Sequence, residues 1–598
     1  MKRSRNKLLL LAGAALLVVG LPAASQEAPE SLLPPGFGSD ELPPRQPDRP
    51  AGELPEPGMP SPLPPLAGEA PPVESALLGE EEALEEPPKP LELPEWARRS
   101  TAVVGALDGR HKGLPADEFG RTDGRFLSTL MRRLGAPIAS RWASILLRRS
   151  LLSRIPVPHG VAPADWVAER AWLLLRMGEA DGARLLVQAV DVDQFTPKMF
   201  EVAVQTALAT ADPAALCPLV EPGRAISDEP VWQLAEAMCA ALAGDAARAS
   251  AVIDQARRRS PARGIDLLLA EKVIGAGTNT RRAVTIQWDE VDRLNAWRFG
   301  LASATGMVVP ERLMSLAGAR MQAWQARAPM LPLEQRLDAA DTAASLGVFS
   351  HDALVEIYSL VADTTDPSEL RDSVGGRLRQ AYVGEDVDAR AAALRRLWDD
   401  SKTPTQQHAR RILTGGAAAR LPASEALAAD AGKIIAAILA AGLDQRAARW
   451  TEVVDAMGSD GDRAWALLAV GTPRAAVDVG AGRVRDFAKR DESNDQIRSK
   501  MLVAALAGLG RVPGGAQSPL AEDLGVRLGV GNRWTAMIGD AAAKRQPGTV
   551  ALLAAVGMQT ADWRGVPPEH LYHIVRALRL AGLDYEARMI AAEALTRL

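Results

Sequence analysis

From Trp96 onward, apolar residues return at intervals of three and four rather than two. Leu571, Ile574, Val575 and Leu578 follow an i, i+3, i+4, i+7 pattern, and Ala249, Val252, Ile253 and Ala256 repeat it. That spacing places an apolar stripe along one side of a helix and is incompatible with the two-residue period of a half-buried strand. Gly or Pro interrupts the pattern about every 12–18 residues, so the helices are expected to run three to four turns between short loops. Alanine is abundant, and aromatics are only 4 % of the chain. Both facts favour helices over a sandwich or barrel.

Aligning the loop glycines brings out a repeat. Gly244 is followed by Ala249 at +5, Ala256 at +12 and Pro261 at +17; Gly582 is followed by Ala587 and Ala594 at the same first two offsets. Gly178 has Ala183 at +5, Gly442 has Ala447 and Gly471 has Ala476; Ala171 and Ala237 lie seven residues before Gly178 and Gly244. Alanines at +5 and +12 fall on one helix face and let a partner helix approach closely. This pattern resembles the tetratricopeptide repeat, in which two helices meet at a glycine and a proline closes the unit. Gly178 and Gly244 are 66 residues apart, and Gly442 and Gly582 are 140 apart, close to two and four such units. The resemblance is partial, because residues 262–430 keep the helical period but lose the signature. It implies an all-α, right-handed α-solenoid of helix hairpins over residues 96–598, each pair covering its neighbour. A subdivision is expected near 275–310, where residues 284–288 read as a short strand or extended insertion. A long loop is expected over 508–531, which is rich in Gly and Pro.

Charge is distributed unevenly. Residues 1–25 carry four basic residues and no acid, followed by an apolar run over 8–20 and small residues at Ala23, Ala24 and Ser25. This is the order of a secretory signal peptide, expected to be cleaved after Ser25, and the apolar run is short for a membrane span. The protein is therefore expected to be exported, most simply to a Gram-negative periplasm. The alternative is an N-terminal anchor in the inner membrane facing that compartment. Residues 26–95 hold 19 of the 43 prolines and 16 acids against Arg45, Arg49 and Lys89. Repelling charges and prolines predict a disordered tether with polyproline-II character, either a plain spacer or a ligand for a groove. The remaining body carries a net charge of +4, so no bulk basicity points to nucleic acid. No further transmembrane span is expected in it.

Cys217 and Cys239 are the only cysteines. In an oxidising compartment they are expected to form one disulfide pinning adjacent helices. No nucleophile elbow, phosphate-binding glycine loop or zinc-binding His-Glu-x-x-His motif occurs. His570 and His573 lie at i, i+3 but lack a third ligand. No catalytic, cofactor or metal residue is assigned. Thirteen tryptophans stand against four tyrosines; Trp534 and Trp563, if exposed, would offer a partner or glycan surface. The terminal pair over 569–598 has no polar cap helix after it, so an exposed Leu595/Leu598 stripe would point to a partner or to self-association. The expectation is a non-enzymatic, protein-binding scaffold or adaptor in cell-envelope assembly, its partners unidentified envelope proteins. The alternative is a cell-wall glycan-binding protein or peptidoglycan-active enzyme with a site in the C-terminal region.

Overall fold

The computed structural model describes residues 94–259, 264–278 and 284–598. The signal-peptide and tether assignments up to residue 93, and Pro261, lie outside the described residues. The rest is all-α: helices packed as hairpins in a roughly solenoid-like arrangement, with a single antiparallel ribbon pairing Val103–Val104 with Ile155–Pro156. No described helix is long and apolar enough to cross a membrane.

Local chemistry sets the helix ends. Proline occupies a first-turn position in Pro163–Arg176, Pro197–Ala209, Pro404–Ala418 and Pro568–Leu580, where its missing N–H costs nothing. Thr403 and Gln406 close a reciprocal capping box, as do Asn532 and Thr535. Gly178 (φ 89°) turns Pro163–Arg176 into Ala180–Val187, and Gly582 (φ 86°) turns Pro568–Leu580 into Asp584–Thr596. Both need the left-handed backbone that glycine adopts without a Cβ penalty. The alanines behind these turns, Ala183, Ala249, Ala256, Ala587 and Ala594, are fully buried against the partner helix. Gly244 and Gly442 sit in equivalent turns, with φ of 87° and 80°. After Gly442 the second helix is broken into Asp444–Ala447, a 3-10 turn Ala448–Trp450 and Thr451–Ala456, although Ala447 is still buried.

Three expectations are corrected. Gly471 is the buried last residue of helix Asp462–Gly471 rather than a loop glycine, and Ala476 lies in the irregular segment after it. The match of that pair to the repeat offsets is coincidental. The Gly/Pro-rich stretch contains a helix, Gly514–Asp523, with Pro519 inside it and Leu520 and Ala521 buried. Tertiary packing of those two residues outweighs poor local propensity. Of the two readings of residues 284–288, the strand does not form and the irregular insertion does; the flanking helices Ile265–Gly277 and Ala296–Ala304 pack together, with Trp297 Nε1 donating to Asp266 O at 3.0 Å.

The stack also departs from nearest-neighbour packing. Helix Arg141–Leu152 packs against Pro547–Val556 and Asp584–Thr596, so early and late helices share one core. At this junction Glu593, 4 % exposed, caps the early helix. Its carboxylate accepts from Ser140 Oγ (2.6 Å), Arg141 N (2.9 Å) and Trp142 N (3.2 Å), partners more than 450 positions away in sequence. Arg597 Nη1 donates to the same group at 2.8 Å. The buried Arg141 guanidinium donates to Ala344 O, Phe349 O and Ala440 O, tying the central helices to the same point. Burial lowers Arg141 to about 10 against the attraction of Glu593. His408, also fully buried, lies 3.7 Å from Glu593, and burial holds it well below the usual imidazole value.

Candidate partner-binding cleft

A cleft of about 930 Å³ opens beside the helix pair that carries the disulfide. Its floor comes from Pro197–Ala209, where Ala203, Thr206, Ala207 and Thr210 fall at i, i+3, i+4, i+7 and form one face. Those side chains are small, so the face is shallow and the space above it stays open. One wall is the end of Ala180–Val187 and the turn to Phe195; the other is the 3-10 segment Pro213–Leu219. Val187, Val192, Phe195 and Pro218 make the walls apolar.

The rim is polar. Arg184 Nη2 pairs with Asp212 at 2.6 Å across one end. At the other end Arg99 N donates to Asp191 at 2.7 Å, the Arg99 side chain donates to Gln188 O, and Gln194 Nε2 donates to Arg99 O at 3.2 Å. Residues 98–99 are thus fastened to the cleft edge, where the chain enters the fold. Next to them Trp96 is 87 % exposed. Cys217 lies in the second wall and is bonded to Cys239 on the helix Pro230–Leu242 behind it, with Cα atoms 5.5 Å apart. The disulfide therefore anchors a cleft wall to the stack, closing a 22-residue separation.

The residues singled out elsewhere fare differently. Trp563 is completely buried, so it offers no surface for sugar or peptide. Trp534 is half-buried: its Nε1 donates to Leu553 O at 2.9 Å, and its ring lies 4.5 Å from that of His570. His570 Nδ1 is 3.1 Å from Gly557 O, and burial lowers His573 below the usual imidazole value. Among the described residues no cluster of three metal-ligating side chains occurs. Helix Asp584–Thr596 is covered by Arg141–Leu152, Ala431–Ala440, Asp462–Gly471 and Ile497–Leu509, while Leu595 and Leu598 line a cavity of about 250 Å³ beside it. Leu595 and Leu598 are half-buried. The terminal pair was expected to lack a cover because a linear stack was assumed; the early helix supplies one.

Sequence reasoning placed the disulfide but missed the cleft beside it. The signal was present as Ala203, Thr206, Ala207 and Thr210, which fall on one face of the helix and its C-cap. Comparison with protein-family models, with curated proteins and with solved structures finds no match for this chain.

Proposed function

We propose that the protein is a non-catalytic scaffold or adaptor of the bacterial cell envelope. It would work in the periplasm after removal of its N-terminal signal and bind an extended protein segment on its tetratricopeptide-like helical surface. The observation that carries this reading is the apolar, polar-rimmed cleft between helix pairs, held open by small residues and fixed on one side by the disulfide. Grooves of this composition suit an extended peptide, whose side chains fill the apolar walls while its backbone meets the polar rim. The cleft edge is also where the proline-rich segment joins the body, so a tether would deliver the cleft to partners at a distance.

A photo-crosslinking amino acid at Ala214, which is exposed at the cleft, tests this in the exported full-length protein. The same label at Val383, 73 % exposed and outside the cleft, serves as control. A recurrent protein adduct at Ala214 that Val383 does not give supports the scaffold. Only glycan-containing adducts, or none, would refute it and favour the glycan-binding alternative.

A further inference from the structure

The described chain begins at Pro94 and enters the fold at the mouth of the cleft, where Arg98 and Arg99 are themselves lining residues. Gln188, Asp191 and Gln194 hold Arg99 in place. Pro94 (φ −60°, ψ 151°) and Arg98 (φ −70°, ψ 137°) flank the short turn Glu95–Ala97 with backbone angles close to polyproline-II. That helix has three residues per turn, so positions three apart share an edge. The period sorts residues 84–93 cleanly. Leu84, Pro87, Pro90 and Leu93 fall on one edge, and Glu85, Pro88 and Leu91 on a second. Glu86, Lys89 and Glu92 make up the third. One edge is wholly apolar and another wholly charged, as in a polyproline-II ligand that turns one side to a groove and another to water.

The cleft offers the matching surface. Val187, Val192, Phe195 and Pro218 give it apolar walls, and the small side chains of Ala203 and Ala207 leave room above its floor. Its lining carries Arg98, Arg99 and Arg184 against Asp191, Asp193 and Asp212. The rim is thus formally neutral and sets no barrier to a segment with three acids and one lysine. Proline-rich segments suit such a groove because their backbone is already ordered, so little entropy is lost on docking. Resting on the reading of this cleft as a peptide site, we propose that its resident occupant is residues 84–93 of the same chain, docked apolar edge inward, and that a partner must displace them. Attachment beside the mouth makes even a weak contact effective. A short connection gives an effective concentration on the order of 1 mM, so a segment with an affinity of about 0.1 mM would weaken a partner's binding about tenfold.

The exported protein, purified with the photo-crosslinking amino acid at Ala214, tests this without any partner present. Irradiation of a dilute sample is expected to give an adduct at monomer mass, which mass spectrometry maps between Ala214 and residues 84–93. Pro90→Ser combined with Leu93→Ser, on the apolar edge, should abolish that adduct. Glu86→Ser combined with Glu92→Ser, on the charged edge, should leave it intact. Both pairs keep the segment beside the mouth, so an adduct formed by proximity alone would survive in both. In cells, the partner adduct at Ala214 should rise about tenfold in the apolar-edge variant and stay level in the charged-edge one. Self-docking is overturned by no internal adduct, by one that survives the apolar-edge substitutions, or by one found only at dimer mass. Displacement is overturned by a partner adduct equally strong in both variants. A partner adduct without the internal one leaves the scaffold reading standing; an internal adduct with no partner adduct removes the scaffold and keeps the self-docking.

Discussion

Glu593 joins helices from opposite ends of the described body, and its removal has a calculable effect. In Glu593→Ala the N-terminal amides Arg141 N and Trp142 N lose their acceptor, as does Ser140 Oγ, while Arg597 Nη1 keeps only its bond to Ala139 O. The fully buried Arg141 guanidinium also loses the negative charge that favours its ionised form. A charge-assisted hydrogen bond contributes about 1.5–3 kcal/mol. The bonds here share one carboxylate, so their values do not add. The appropriate magnitude is that of removing one partner from a buried charge pair, about 3–5 kcal/mol. Glu593→Gln keeps one acceptor oxygen but turns an NH2 toward donors, so about 2 kcal/mol is expected from it.

Urea unfolding followed by both circular dichroism and tryptophan fluorescence measures the loss, the coincidence of the two probes establishing a single cooperative event. Hydrogen exchange adds a local readout. The first-turn amides of Arg141–Leu152 should lose protection in Glu593→Ala, while amides of Pro230–Leu242, which packs mainly on Ala246–Arg259 and Ile265–Gly277, keep theirs. A loss below about 1 kcal/mol for Glu593→Ala, with exchange at residues 141–143 unchanged, would refute the view that this carboxylate closes the stack.

Two further outcomes follow from the geometry. Gly442→Ala and Gly582→Ala both place a Cβ at a positive φ (80° and 86°), which costs about 1–2 kcal/mol. At Gly582 nothing lies within 4 Å of the new Cβ, whereas at Gly442 it meets the Tyr585 hydroxyl and comes within 2.8 Å of Trp142 Cη2. Overpacking then adds about 1–3 kcal/mol at Gly442 alone, a difference that thermal unfolding of the two variants measures directly. Glu118 is fully buried, and neither of its carboxyl oxygens has a hydrogen-bond partner. Burial raises it from the ordinary 4.5 to about 8, against the nearby Ser150 hydroxyl, which falls short of hydrogen-bond geometry, and the attraction of Arg170 and Arg149. The folded state holds this proton where the unfolded chain has released it. The contribution is therefore fully present below pH 4.5 and is lost as pH rises to about 8, by at most about 1.4 kcal/mol per pH unit. Glu118→Gln should flatten that slope in denaturation curves taken across this window; an unchanged slope would show that Glu118 does not cause it.

What was readable in the sequence was local. Helix stripes and the turn glycines before Ala183, Ala249 and Ala587 are set by residues within a few positions of one another, and they appear where the spacing puts them. The disulfide was readable because only one pairing exists. The failures are non-local. Gly471 and Ala476 satisfied the offsets without forming a turn, because a small residue at a fixed distance does not specify the backbone between them. Trp563 lies in a segment poor in apolar neighbours, yet packing from helices far along the chain buries it. The closure of the stack left one trace that periodicity ignores: Glu593 is a lone acid in Met589-Ile590-Ala591-Ala592-Glu593-Ala594, on the helix that every expectation treated as an edge. An ionised group in such a run must find donors, and its own helix supplies only Arg597. Arg141 and Arg170 are likewise buried charges. In a helical stack, charges set into apolar faces mark the places where distant elements are obliged to meet. Here, among the described residues, they indicate a body in which early and late helices share one core.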